Sequence, residues 1–201
     1  MKKTIVMAAL ACTVIASTAA AQSLTTLFAG NNLGNAGGGV YFDITTVAGA
    51  IQVTGFDVNT GAAVGTNIAF EVWTHAVTWD GNHNSVVGWT QVATGTGTAA
   101  GIDIPSAITL NAPFTLPGGT TLGMAITLGT VAHAYTNGAG GLPQTFSNAE
   151  LSMTLGGATN VFFGAGRFFP RVWNGTIYYI PAPSSLALLG LGGLVAVRRR
   201  R

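Results

Sequence analysis

The side chains best suited to chemistry sit in one short run, Asn67 to His75. Strand alternation places Ile68, Phe70 and Val72 on one face and Glu71, Trp73 and His75 together on the other. A Trp ring between a carboxylate and an imidazole can stack on a sugar ring and hydrogen-bond its hydroxyls, which makes this row the candidate ligand face. The competing expectation is that a neighbouring loop, the one containing Trp79, folds over the row and buries Trp73, because large aromatics are mostly buried.

Other chemistry is weaker. Asp80-Gly81-Asn82-His83-Asn84 carries oxygen ligands at alternate positions, with Gln91 as the twelfth residue. A calcium loop needs Gly at its sixth position and a bidentate carboxylate at its twelfth, and Ser85 and Gln91 supply neither. The segment therefore reads as a polar hairpin loop, for which Asp, Gly and Asn are the usual residues. His75, His83 and His133 lack zinc-type spacing, and no nucleophile elbow is present. Six acidic residues scattered through the interior suggest no placed pair for glycoside hydrolysis. The expectation is a non-enzymatic domain with no metal and no cofactor.

The elements that must hold these residues read as β throughout, with short alternating runs separated by Gly, Pro and Asn clusters. Val40, Phe42 and Ile44 alternate with Tyr41, Asp43 and Thr45, so that strand, like Asn67 to His75, is expected to have one wet face. Leu122, Met124, Ile126 and Leu128 form a third apolar row, and Leu151, Met153 and Leu155 a fourth. Two packed antiparallel sheets would bury these rows together, giving an all-β antiparallel sandwich. In Ile51 to Asn59 the apolar phase slips by one residue at Gly55, which predicts a bulge there. Asn174-Gly175 fits either a type I′ hairpin turn or ordinary strand.

Both ends read as targeting segments. Residues 1–21 have a basic start, an apolar stretch from Ile5 to Ile15 and small residues at Ala19 and Ala21, the three parts of a secretory signal peptide. Cys12 within it is the only cysteine, so residues 22–179 can form no disulfide. At the other end an apolar run from Leu186 to Val197 precedes Arg198, Arg199, Arg200 and Arg201. As a helix it would span roughly 18 Å, against about 30 Å of hydrocarbon, so it predicts a temporary anchor in the inner membrane. The arginine cluster would stay on the cytoplasmic side, leaving the preceding domain outside.

Without the two ends, Arg167 and Arg171 stand against six acidic residues, a formal charge of −4. The basic sequence pI of about 9.0 is thus a property of the terminal segments and argues against nucleic-acid binding.

Residues 180–201 resemble the PEP-CTERM sorting signal of bacterial surface proteins, in the order Pro181-Ala182-Pro183, apolar segment, basic end; Ala182 stands where that family usually has glutamate. The resemblance implies signal peptidase and an exosortase-like enzyme as processing partners, removal of the tail near Pro181 to Pro183, and delivery to the cell surface or outside it, often with extracellular polysaccharide. The segments Phe28-Ala29-Gly30-Asn31-Asn32, Gly55-Phe56-Asp57, Phe146 to Leu151 and Arg171 to Tyr179 together resemble an uncharacterised secreted all-β module. That resemblance implies a sandwich of jelly-roll type and no known reaction; with the two ends, the expected fold is this sandwich flanked by an N-terminal signal helix and a short C-terminal apolar helix. Two functions are expected from these readings: a structural or interaction module at the cell surface or in the matrix, and, as the alternative, a carbohydrate-binding module.

Overall fold

The computed structural model describes residues 20–47, 49–138 and 144–182. Among the described residues there are fourteen strands: β1 Gln22–Thr25, β2 Asn32–Leu33, β3 Gly39–Thr46, β4 Ile51–Val58, β5 Asn67–His75, β6 Trp89–Thr98, β7 Ser106–Leu116, β8 Thr121–Thr127, β9 Ala134–Asn137, β10 Thr145–Ser147, β11 Leu151–Thr159, β12 Arg167–Phe168, β13 Arg171–Trp173 and β14 Gly175–Pro181. Among the described residues there is no helix, and none is long and apolar enough to cross a membrane. Residues 1–19 of the signal segment and the tail from Pro183 to Arg201, with the helices expected in them, lie outside the described residues.

The chain is all-β and antiparallel, as its alternation requires, but the sheets are partitioned differently from the expectation. Eleven strands form a single sheet in the order β1-β14-β4-β7-β6-β5-β8-β3-β11-β10, with β12 attached to β11. This sheet wraps until its end strands β1 and β10 approach each other. Asn148, just beyond β10, donates to the Ser23 carbonyl (3.1 Å) and the Tyr179 hydroxyl (2.7 Å) and so fastens the two edges. Near closure protects edge strands that would otherwise present unpaired backbone groups. A separate three-stranded sheet, β13-β9-β2, lies at one end.

The inner face is the core. Val40, Phe42, Ile44, Val53, Phe56, Ile68, Phe70, Val72, Met124, Ile126, Met153 and Leu155 are all buried in it, matching the four alternating rows. Phe56 packs on Phe70 at 5.0 Å between ring centroids, and Trp173 stacks on Phe42 at 5.3 Å. Burial of so many large side chains supplies the stability that disulfides would give a smaller domain.

The bulge in β4 is real, and its extra residue is Thr54. Tyr178 and Tyr179 are opposite Gly55 and Val53, leaving Thr54 unpaired and exposed. Asn174-Gly175 is neither hairpin nor continuous strand. The chain leaves the small sheet after Trp173 and enters the large one at Gly175, with Asn174 fully buried at the crossing. A side chain at Gly175 would collide with the Trp173 indole and lie 2.6 Å from the Asp57 carbonyl oxygen, so glycine is required by close approach.

At that same end Asp103 ties the loops together. Its carboxylate accepts from the Gly30 amide (2.5 Å) and the Asn59 side chain (2.8 Å), while its own amide donates to Asn59 (2.8 Å). Asp103 has φ 60°, a left-handed conformation that Asp tolerates better than most residues.

His133, bridged to Thr60 near this end, is buried, and burial lowers its pKa from 6.5 to about 4. The unfolded chain therefore takes up the proton first. The stability tied to neutral His133 is complete above about pH 6.5 and is lost as pH falls toward about 4, by roughly 3 kcal/mol in all. Urea midpoints measured from about pH 7 down to about pH 4.5 should fall more steeply for the wild type than for His133→Leu. Equal slopes would show that His133 does not carry this acid sensitivity.

Candidate functional site

The outer face of β3, β5 and β8 is where the structure departs most from the expectation of a wet surface. Tyr41, on the supposedly wet side of β3, is 1 % exposed. With Trp79, Trp89 and Ala125 it forms a second apolar cluster, against which Trp73, Phe162 and Phe163 pack. Two loops, residues 76–88 and 160–166, lie over the sheet and supply three of the six rings, Trp79, Phe162 and Phe163.

Asp43 anchors the first loop. Its carboxylate accepts from the Trp79 amide (3.0 Å) and the Thr78 hydroxyl (2.8 Å). Burial raises the Asp43 pKa, and those two hydrogen bonds pull it back. Beneath the loop is Gly123, where a Cβ would come 2.6 Å from the Trp79 nitrogen, so only a residue without a side chain lets the loop lie this close. The Trp79 indole rests on the Gly156-Gly157 pair of β11 in the same way. Tyr41 completes the cluster by accepting a hydrogen bond from the Phe163 amide (2.8 Å), and its own pKa is raised by burial.

The structure brings Glu71, Trp73 and His75 onto one face but engages each of them. The Trp73 indole nitrogen donates to the Glu71 carboxylate at 2.9 Å. The Trp73 ring is half-buried, edge-on to Phe162 (6.4 Å) and Phe163 (5.5 Å). His75 leans over Trp89 at 5.3 Å and accepts from the Val77 amide (3.3 Å). Glu71, Trp73 and His75 thus share one face, on which Phe162 and Phe163 pack against Trp73 and Gly88, at the end of the loop that carries Trp79, lies close against His75.

The Asp80-to-Asn84 segment is a turn. Asp80 pairs with Arg167, and Asn82 donates to the Thr78 carbonyl at 2.9 Å, holding the turn on itself. No group of three or more metal-ligating side chains is assembled among the described residues. His83 lies against Tyr41 and Trp79 with its pKa lowered by burial and by Arg167, whereas His133 is buried elsewhere, bridged to Thr60. The three histidines are not brought together. Of the sorting-signal residues, Pro181 ends β14 and Ala182 bonds back to Ala50 (2.9 Å); Pro183 and Arg198 to Arg201 lie outside the described residues.

Sequence reading passed over the segment Arg167-Phe168-Phe169-Pro170-Arg171. The Arg167 guanidinium lies over the Trp79 and Phe169 rings at 5.5 and 5.6 Å. The Arg171 guanidinium lies over Tyr135 and Phe168 at 5.7 and 5.6 Å. A signal was available. These are the only two cations outside the terminal segments, four residues apart around two phenylalanines, and a guanidinium seeks aromatic faces.

Compared with protein-family models, the chain matches none, and no curated protein matches its sequence.

The glycine platform generates a test. A methyl group at position 156 would occupy the space of the Trp79 indole, so Gly156→Ala should destabilise the protein by about 1–3 kcal/mol, as overpacking does. It should also shift Trp fluorescence toward the red as Trp79 is pushed into water. Gly49→Ala, at an open position with nothing within 4 Å, should change neither; a silent Gly156→Ala would refute the close packing of Trp79.

Proposed function

We propose that the chain is an exported cell-surface or extracellular-matrix protein, sorted by an exosortase-type system, and that its jelly-roll-type β module is a structural or interaction unit and not an enzyme. The observation that carries this reading is where the folded domain ends. Gln22 pairs with Tyr179 and Pro181 with Ile51, so both ends of the domain leave from one rim, on neighbouring strands. The final hydrogen bond is from the Ala182 amide to Ala50. Removal of residues 1–21 by signal peptidase, and of the tail beyond Ala182 by an exosortase-like enzyme, would therefore break no strand pairing. A domain tethered at that rim, transiently at the inner membrane, would present its opposite end outward.

The side-chain chemistry agrees with a passive role. All six carboxylates have a local partner: Asp43 holds Trp79, Asp57 the Tyr178 hydroxyl, Glu71 the Trp73 indole, Asp80 Arg167, Asp103 Asn59, and Glu150 the Tyr179 hydroxyl. Carboxylates committed in this way suit fold maintenance better than acid–base work.

Intact protein isolated from the surface of the native cell should end between Pro181 and Pro183 when its mass is measured. Recovery of that protein with Arg201 still attached would overturn the sorting proposal.

A second reading, carbohydrate binding at Glu71, Trp73 and His75, is favoured by the partial exposure of Trp73 beside a carboxylate. Titration with a neutral glucan, followed by Trp fluorescence, should give a signal that Trp73→Ala abolishes without lowering the melting temperature. Absence of a signal in the wild type, or unfolding of the variant, would leave Trp73 as a packing residue only.

A further inference from the structure

The segment Arg167 to Arg171 builds the same arrangement twice and completes it once. Arg167 lies over two aromatic rings, Trp79 and Phe169, and its charge is met by Asp80. Arg171 lies over two aromatic rings, Tyr135 and Phe168, and no carboxylate meets it. The shortfall cannot be made up elsewhere in the domain. All six acidic side chains of the sequence are among the described residues, and each is engaged with a different partner.

Arg171 is nevertheless a half-buried cation. Its Nη1 donates to the Pro170 carbonyl at 2.8 Å, while its Nε is buried without a partner among the described residues. A guanidinium has five donors in one plane and is matched by a carboxylate in a two-point contact; a partly desolvated one that lacks an anion forgoes most of that energy. The surroundings suit a polyhydroxylated ligand. Phe168 is 40 % exposed, leaving part of its apolar ring open to contact. Asn137 is directly opposite Arg171 in the β13–β9 ladder and is itself exposed, with Asn32 donating to its side-chain oxygen at 3.0 Å.

We infer that Arg171, with Phe168, Tyr135 and Asn137, forms a binding site for a carboxylate-bearing sugar of an acidic polysaccharide. The carboxylate occupies the place at Arg171 that Asp80 occupies at Arg167, the sugar ring lies against Phe168, and Asn137 is placed to bond a hydroxyl. The domain's charge of −4 disfavours unspecific attraction of a polyanion, so recognition depends on this one local contact. This inference rests on the matrix-facing role proposed above, and it gives that role a ligand class.

The test uses the protein purified as the cell exports it, titrated calorimetrically with oligogalacturonate and with its fully methyl-esterified form. The acid should bind, and the ester at least about tenfold more weakly. Arg171→Gln should weaken acid binding to the level of the ester, and Arg167→Gln should leave it unchanged. Should Arg171→Gln not fold, Arg171→Lys serves in its place: it keeps the charge but loses the planar fork, so the preference for acid over ester should shrink while the melting temperature holds. Equal binding of acid and ester, no binding of the acid at millimolar concentration, or an acid preference untouched by the Arg171 variants would each overturn the inference. Those outcomes are independent of where the chain is cut and located, so the sorting proposal stands or falls separately by its own mass measurement.

Discussion

The grip of the Asp43 carboxylate on the Trp79 amide and the Thr78 hydroxyl is the interaction on which the outer half of this protein depends. It fixes the loop of residues 76–88 against β8 and β3, and from that position Trp79 reaches across to the bare backbone of Gly156 and Gly157. Tyr41 is buried as a result, and Phe162 and Phe163 complete the layer from the other loop. A partly buried carboxylate is costly unless hydrogen-bonded, and here two donors compensate it. The wall between the two apolar layers is a single sheet thick. Its residues on both faces must therefore fit, which explains why glycines stand under the largest ring.

Charge is scarce outside the terminal segments and is individually accounted for. With no lysine and two arginines among residues 22–182, there can be few ion pairs, and stability comes from apolar burial and a long antiparallel ladder. Both arginines are placed on aromatic faces, where the weakly hydrated guanidinium loses less than an ammonium would. One of these stacks has its anion and the other does not, and that asymmetry distinguishes Arg171 from Arg167. The Glu71–Trp73 pair differs in kind, since its carboxylate is already used by the indole beside it.

The arrangement of ends gives the domain a polarity. The rim where β1 begins and β14 finishes carries both chain exits, while the opposite rim carries the small sheet, the Asp103 clasp and the buried His133. The buried histidine whose pKa burial lowers thus sits at the end remote from the chain exits.

Much of the fold was legible in the sequence because a strand's side chains alternate with a fixed period of two, and burial selects one phase. The inner rows of β3, β5, β8 and β11, and the phase slip in β4, follow from that rule alone, as does the absence of disulfides from a lone cysteine at position 12. Periodicity speaks only of which side a residue points to, not of what lies on that side. Whether the row Glu71, Trp73, His75 stands open, whether Tyr41 is wet, and whether the rows close into two sheets or one were decided by loops and strand order, which bring together residues far apart in sequence. The same holds for Arg171: its type and spacing were visible, but an unmatched charge is a property of all the partners around it, and those exist only once the chain has folded.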